Sequence, residues 1–356
     1  MIDLKHLKKT QRIHTDDKRN FKLGLRADRN EKVVDWPPNI FKKIFTKIKP
    51  HEFTAYYNTT EIKKIKKQVA RYFSLKEENF IINHGGDGVI KEFLLVNYHK
   101  GLRVLLNGIN YEMYKVYFDA LKIKYFEAPY KYDLDKKNIF DLDKNFFQNY
   151  IKKSDIIFFT NPNQISNQDL SFIDIKNFCK KYPKKLFFID ESYYDFGHYS
   201  FIKLTKSHKN IFVMRSITKT FGLASARIGF LIAHKDTIKS FKAMETPYPI
   251  SLFSGKCLKF FLENKKLIKD YNKQVKIGRE YLCKELEKRN YKIHNSKGLS
   301  AFIYFKTQND LQKKHKLLLK KFIYTKKIKI KSLYFLRITC GPKKQMMRIL
   351  KNFKFN

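Results

Sequence analysis

Short apolar runs that end in a polar or charged residue do most to limit the folds open to this chain. Leu186-Phe-Phe-Ile-Asp190 is one such run, Phe80-Ile-Ile-Asn is another, and Arg103-Val-Leu-Leu106 is followed by Asn107. Periodicity alone does not separate them from buried helix, but their length and their β-branched and aromatic content predict strands. An amphipathic helix is predicted from about Glu61, with Ile62, Ile65, Val69, Tyr72 and Phe73 on one face. Strands alternating with helices predict an α/β fold with a mostly parallel central sheet flanked by helices. Open parallel sheets bind ligands beyond the carboxyl ends of their strands, which is where Asp190 is expected. With 356 residues, 43% of them hydrophobic, the chain can build one large and one small domain.

One lysine stands apart from the others. The run Arg215-Ser-Ile-Thr-Lys-Thr-Phe-Gly-Leu-Ala-Ser-Ala-Arg-Ile-Gly229 encloses Lys219 between hydroxyls at Ser216, Thr218 and Thr220, with Arg227 downstream. An amine condenses with an aldehyde as a Schiff base, while hydroxyls and a guanidinium hold a phosphate monoester. The cofactor that is both aldehyde and phosphate is pyridoxal 5'-phosphate (PLP). Asp190 then gains a purpose, because a carboxylate at a strand end can pair with the protonated ring nitrogen. Tyr193 can hydrogen-bond the ring's 3'-oxygen. Taken singly, Lys219 reads as a loop lysine and Asp190 as a helix N-cap; together they predict a cofactor site.

These residues resemble the fold-type I PLP enzymes of the class I/II aminotransferase group, close to histidinol-phosphate aminotransferase and related small-phosphate aminotransferases and decarboxylases. The group's Asp-Glu-Ala-Tyr motif corresponds to Asp190-Glu191-Ser192-Tyr193. Its Ser-Lys-x-Phe-Gly-Leu-Ala-Gly-x-Arg segment corresponds to residues 218–227, and the resemblance runs in order from about Asn30 to Gly341. It implies a fold-type I architecture, with a large PLP domain and a smaller α+β domain.

Further roles follow from the same resemblance. Asn30, in Arg29-Asn30-Glu31, is expected beside the substrate. Tyr56 or Tyr57 resembles a tyrosine that reaches the cofactor phosphate of a neighbouring subunit, so a homodimer is expected. Gly85, Gly86 and Asp87 resemble the phosphate-binding turn, where small residues and the first N–H groups of a helix meet the anion. Tyr111 resembles the tyrosine stacked on the pyridine ring. Leu336-Arg337-Ile-Thr-Cys-Gly341 makes Arg337 the fork for a substrate carboxylate.

Two segments depart from the pattern. Asn161-Pro-Asn-Gln-Ile-Ser-Asn167 stands where the group reads Asn-Pro-Asn-Asn-Pro-Thr-Gly, so the donor to the 3'-oxygen is either Gln164 or Asn163. Phe322-Ile-Tyr-Thr-Lys-Lys327 has no arginine where histidinol-phosphate aminotransferases carry a second one.

A formal net charge of +42 raises the question of nucleic acid as a partner. However, 63 of the 75 basic residues are lysine, scattered rather than massed, which predicts no specific nucleic-acid binding. The same field favours small anionic, phosphorylated substrates. Lys63-Lys64, Lys66-Lys67 and Lys326-Lys327 read as solvated helix or loop faces. Cys179, Cys257, Cys283 and Cys340 form no Cys-x-x-Cys pair, and no metal is expected. Without an apolar leader or a membrane-length apolar run, a cytoplasmic enzyme with no membrane contact is expected. The expected division is an N-terminal arm at 1–49, a PLP domain at 50–245 and a small domain at 246–356, hinged near Pro247 and Pro249. The expected reaction is amino transfer between a small amino donor and an oxo acceptor. The alternative is decarboxylation of a phosphorylated amino acid resembling phosphoserine or phosphothreonine.

Overall fold

The computed structural model describes residues 19–46, 48–166, 170–197, 199–294, 296 and 298–354; Asn167 and the first part of the N-terminal arm lie outside the described residues. Seven strands form the larger sheet: β1 (Phe80–His84), β2 (Arg103–Asn107), β3 (Lys124–Ala128), β4 (Ile156–Thr160), β5 (Leu186–Asp190), β6 (Ile211–Ser216) and β7 (Ile228–Ala233). Their spatial order is β1-β7-β6-β5-β4-β2-β3. Strands β2 to β6 pair in parallel, while β7 runs antiparallel to both β6 and β1. Strand β7 is therefore reversed among six strands of common direction. Its amino end shares one edge of the sheet with the carboxyl ends of the other six.

Both faces of this sheet are buried, which explains why its strands are apolar throughout instead of alternating with polar residues. Phe187 and Ile189 of β5 face one core, together with Val69 and Phe73 of helix α1 (Thr59–Phe73). Phe188 of β5 faces the other core, with Phe93 of helix α2 (Gly85–Asn97). Helix α1 begins two residues ahead of the expected Glu61 because Asn58 caps it, its side chain accepting from Thr60 N at 2.8 Å. The stretch expected to be helical after Ser251 is split at Asn264 into α3 (Leu252–Glu263) and α4 (Lys265–Glu287).

A second, antiparallel sheet contains β8 (Ile293–His294), β9 (Ser300–Phe305), β10 (Lys326–Ile330) and β11 (Leu333–Thr339), ordered β8-β9-β11-β10. Lys326 and Lys327 correct the expectation of a helix or loop face: they lie on β10, the edge strand. Charged residues there keep a second chain from extending the sheet. The N-terminal segment joins this unit, with Leu25–Arg26 pairing in parallel with Ile323–Tyr324. Leu25 and Val33 share a core with Val275, Ile303 and Ile338. Among the described residues, no helix is long and apolar enough to cross a membrane.

Candidate active site

Asp190 is the last residue of β5 and only 6% exposed. Tyr114 OH donates to its Oδ2 at 2.6 Å, and Ser192 N donates to its Oδ1 at 2.8 Å. Burial nevertheless raises its pKa, as a desolvated anion held only by neutral donors requires. A cation is the natural complement of such a group. The neighbouring Glu191 is fully buried and pairs with Arg215 of β6 at 3.0 Å. The Arg215 guanidinium also lies 3.8 Å from the Tyr194 ring centroid. This pair fixes the end of β5 against β6 and so fixes Asp190.

Lys219 sits on a one-turn helix, Ile217–Thr220, directly after β6. Its Nζ donates to the backbone oxygen of Arg29 at 3.2 Å. Burial pushes its pKa down to about 8, assisted by the Arg337 and Arg227 charges and opposed by Glu31 and Asp87. An amine shifted that far is partly neutral, and hence nucleophilic, near neutral pH.

Strand register assembles the anion cradle. Gly229 lies opposite Ser216 on one side of β7, and Ile228 lies opposite His84 on the other. Ser216, Arg227 and Gly85 thereby meet at one point of the edge. Helix α2 starts at Gly85 itself, whose φ is +70°, and a Cβ there would stand 2.7 Å from Arg227 Nη2. Arg227 Nη2 pairs with Asp87 Oδ2 at 3.2 Å. Tyr111 and Tyr117 hydroxyls each donate to Asp87 Oδ1 at 3.1 Å. The Asp87 carboxylate, expected in the phosphate turn, therefore aims the guanidinium; like charge bars its side chain from holding a phosphate itself. Ser216 Oγ donates to Thr218 Oγ1 at 2.9 Å, keeping the two hydroxyls together.

Asn30 joins both sheets to the N-terminal segment. It adopts φ 55°, its Oδ1 accepts from Ser300 Oγ at 2.7 Å and Thr339 Oγ1 at 3.0 Å, and its Nδ2 donates to Tyr193 OH at 3.2 Å. That amide also donates to Gln164 Oε1. Asn163, the alternative to Gln164, donates to Ile109 O at 2.6 Å and accepts from Ile165 N at 2.8 Å. Its amide oxygen thus closes its own turn while its NH2 ties that turn to the loop carrying Ile109, whereas the Gln164 amide faces Asn30. Arg337 donates from Nη2 to the Asp28 backbone oxygen, while its Nε is buried with no partner among the described residues. A buried guanidinium N–H left this way suits an incoming carboxylate. Tyr56 is 79% exposed and stacks on Tyr248 at 4.4 Å. Tyr57 is buried against Gly255, and its hydroxyl has no partner among the described residues.

The sequence reading missed Tyr114, the Arg29 carbonyl and the Glu191–Arg215 pair. Tyr114, on the helix Met113–Ala120, is marked out only by its hydroxyl meeting Asp190. The residues present fit PLP. Glycine backbone, guanidinium and hydroxyls suit the phosphate, Lys219 the aldehyde, and Asp190 the ring nitrogen. Among the described residues, no group of His, Cys, Asp and Glu is arranged to hold a metal ion.

Comparison with known proteins gives the family. The model of the family described as aminotransferase class I and II matches residues 28–353. Histidinol-phosphate aminotransferase of Sulfurisphaera tokodaii is 26% identical over 330 residues, spanning 92% of this chain and 89% of its own. Histidinol-phosphate aminotransferase from Sinorhizobium meliloti, solved in complex with pyridoxal-5'-phosphate, superposes with a TM-score of 0.81 at 16% identity, covering 97% of this chain and 95% of that one. L-threonine-O-3-phosphate decarboxylase from Porphyromonas gingivalis superposes with a TM-score of 0.73 at 15% identity, covering 92% and 97%. The fold is that of the fold-type I PLP enzymes. With the family match running from Asp28 to Phe353, across both sheets, the chain belongs to the class I and II aminotransferases.

Proposed function

We propose that this PLP-dependent aminotransferase moves an amino group between a small anionic amino donor and an oxo acceptor, with a phosphorylated compound on one side. The observation that carries the reading is Lys219, its pKa lowered to about 8, on the same sheet edge as buried Asp190 and Arg227. When bound, PLP supplies an electron sink for charge developing at the substrate's α-carbon. The chain's residues supply the rest. Ser216, Thr218, Arg227 and the N–H groups of Gly85 and Gly86 hold the phosphate. Asp190, held by Tyr114 and Ser192, keeps the ring nitrogen protonated. Tyr111 would cover the ring face, and Tyr193 with Gln164 would serve the 3'-oxygen. Arg337 takes the substrate carboxylate beside Asn30. Lys219 Nζ would take the substrate's α-proton and return it.

Histidinol phosphate is not the substrate this site favours. In the segment where relatives carry a second arginine, Thr325 is buried and hydrogen-bonded to His315 Nδ1 at 3.0 Å, and Lys326 and Lys327 are exposed on the edge strand. Neither lysine reproduces a bidentate fork. A smaller phosphorylated substrate agrees better with these residues and with the positive field. The likeness to the threonine-phosphate enzyme supports decarboxylation as the second reading. One experiment separates the two. Glutamate added alone should convert the bound cofactor to its amine form and release an oxo acid. Carbon dioxide released from phosphothreonine, with no spectral change on glutamate, would overturn amino transfer.

The sheets support a division into an N-terminal arm at 1–49, a PLP domain at 50–245 and a small domain at 246–356. The larger sheet uses residues 80–233 and the smaller one residues 293–339. We further propose a homodimer in which Tyr56, the exposed member of its pair, reaches the partner's cofactor phosphate. Tyr56→Phe should weaken PLP binding about tenfold or more, the effect of losing a hydrogen bond to a charged group of about 1.5–3 kcal/mol. Tyr57→Phe should leave it unchanged. Mixing Lys219→Ala and Tyr56→Phe subunits should yield hybrids with one intact site. A fully active monomer in sedimentation would refute the shared site.

A further inference from the structure

Lys32 is held at both ends of its side chain. Its Nζ lies 4.1 Å from the centroid of the Trp36 ring and 3.4 Å from that of Tyr271. The two rings meet at 5.5 Å, and Trp36 also packs on Phe261 at 5.0 Å. Tyr271 belongs to α4 and shares a core with Val33. The stem crosses Gly222, whose φ is +63°; a Cβ there would stand 2.8 Å from Lys32 Cδ and 3.0 Å from its Cβ. Gly222 lies just past Lys219 on the same loop. Arg26 Nη2 donates to the Lys32 carbonyl at 3.2 Å, and the Arg29 carbonyl accepts from Lys219 at 3.2 Å. One side chain thus ties the segment carrying Arg29 and Asn30 to α4 and to the Lys219 loop.

We propose that Lys32 is a positioning residue: clamped between Trp36 and Tyr271, it latches the Arg29–Asn30 segment over the Lys219 loop and so sets the affinity for the amino substrate. The proposal rests on the aminotransferase reading above. An ammonium over two aromatic faces is attracted by both ring quadrupoles, more strongly as water is excluded. Burial works against the charge and pulls the Lys32 pKa down to about 7, with Asp35 opposing that shift and Arg26 adding to it. The ring faces and Asp35 are what favour the charged form. Glycine at 222 matters for the stem, because any larger residue would lift it away from the loop.

The test, read at or just below pH 7 where at least about half of Lys32 is charged, compares wild type, Lys32→Met, which keeps the stem and loses the charge, and Lys32→Arg, which keeps a cation for the rings. Thermal melting first establishes that each folds. In cofactor-free protein, trypsin cleavage after Arg26 and Arg29 and the emission of Trp36, the sole tryptophan, report on the latch without turnover. Lys32→Met should be cleaved roughly tenfold faster, as expected for losing a desolvated cation–π contact, and its emission should shift. With cofactor and amino donor, its KM should rise roughly tenfold at nearly constant kcat, the mark of lost ground-state positioning. Lys32→Arg should match wild type in every readout. Unchanged cleavage in Lys32→Met overturns the latch, and loosened cleavage with an unchanged KM overturns the positioning role. If wild type turns over no amino donor, the functional reading fails, while the cleavage assay still decides the latch.

Discussion

Lys219→Ala is expected to remove the visible absorption band of the cofactor-loaded protein and to lower turnover by at least roughly 10⁴-fold, the upper range for a general base, with the loss of a nucleophile added. Lys219 sits just past the end of β6 with its Nζ against the Arg29 carbonyl, so the substitution removes the amine at that point of the edge. Lys219→Arg should fail equally, since a guanidinium stays protonated and cannot condense or accept the α-proton. The same amine sets a pH dependence. Its pKa falls from 10.5 to about 8 in the folded protein, so it is protonated and inert below that value and neutral above it. Capture of PLP by the cofactor-free protein should accelerate about tenfold per pH unit up to that value and then level off. Stopped-flow absorbance measures this directly. A capture rate independent of pH, or a Lys219→Ala protein that keeps its visible band, would refute the assignment.

Strand ends were the most legible part of the fold. Leu186 to Asp190 forms β5 as its apolar run implies, because a strand buried on both faces needs no polar alternation. Arg227 was legible as a residue but not as a place. Its arrival at the active edge depends on β7 running against its neighbours, and reversal is a property of pairing that no local pattern records. Tyr114 went unseen because one of 22 tyrosines carries no mark until its hydroxyl meets Asp190. The Arg29 contribution is a backbone carbonyl, which has no side-chain signature at all. Asn163 and Gln164 remained alternatives in the sequence, since both carry amides. In the fold Asn163 bonds Ile109 and Ile165 while Gln164 faces Asn30, a difference that only folding creates. The Lys32 cage needs Tyr271 and Gly222, both far from Lys32 in sequence, and was likewise invisible before folding.

Asp190→Asn should move stability and catalysis in opposite directions, which makes it a demanding test of the site. Burial raises the pKa of Asp190 above 3.8 in the cofactor-free protein. A group whose folded pKa is raised adds stability below its unfolded value and loses it as pH climbs through the folded value. At neutral pH the Asp190 charge therefore opposes folding when no cation faces it. Asparagine keeps the shape, and its amide oxygen can still accept from Tyr114 or Ser192. The cofactor-free variant should accordingly melt no lower than wild type by calorimetry at pH 7 to 8. With cofactor bound the balance inverts, because the variant offers no charge to the protonated ring nitrogen. Removing one member of a buried charge pair costs about 3–5 kcal/mol. At about 1.36 kcal/mol per factor of ten, kcat should fall roughly two to four orders of magnitude. Tyr114→Phe, which removes only the 2.6 Å hydrogen bond to Oδ2, should give a much smaller loss, about tenfold for one hydrogen bond to a charged group. If Asp190→Asn kept kcat within tenfold of wild type, Asp190 would be a structural carboxylate, and the ring nitrogen would need another partner at this edge.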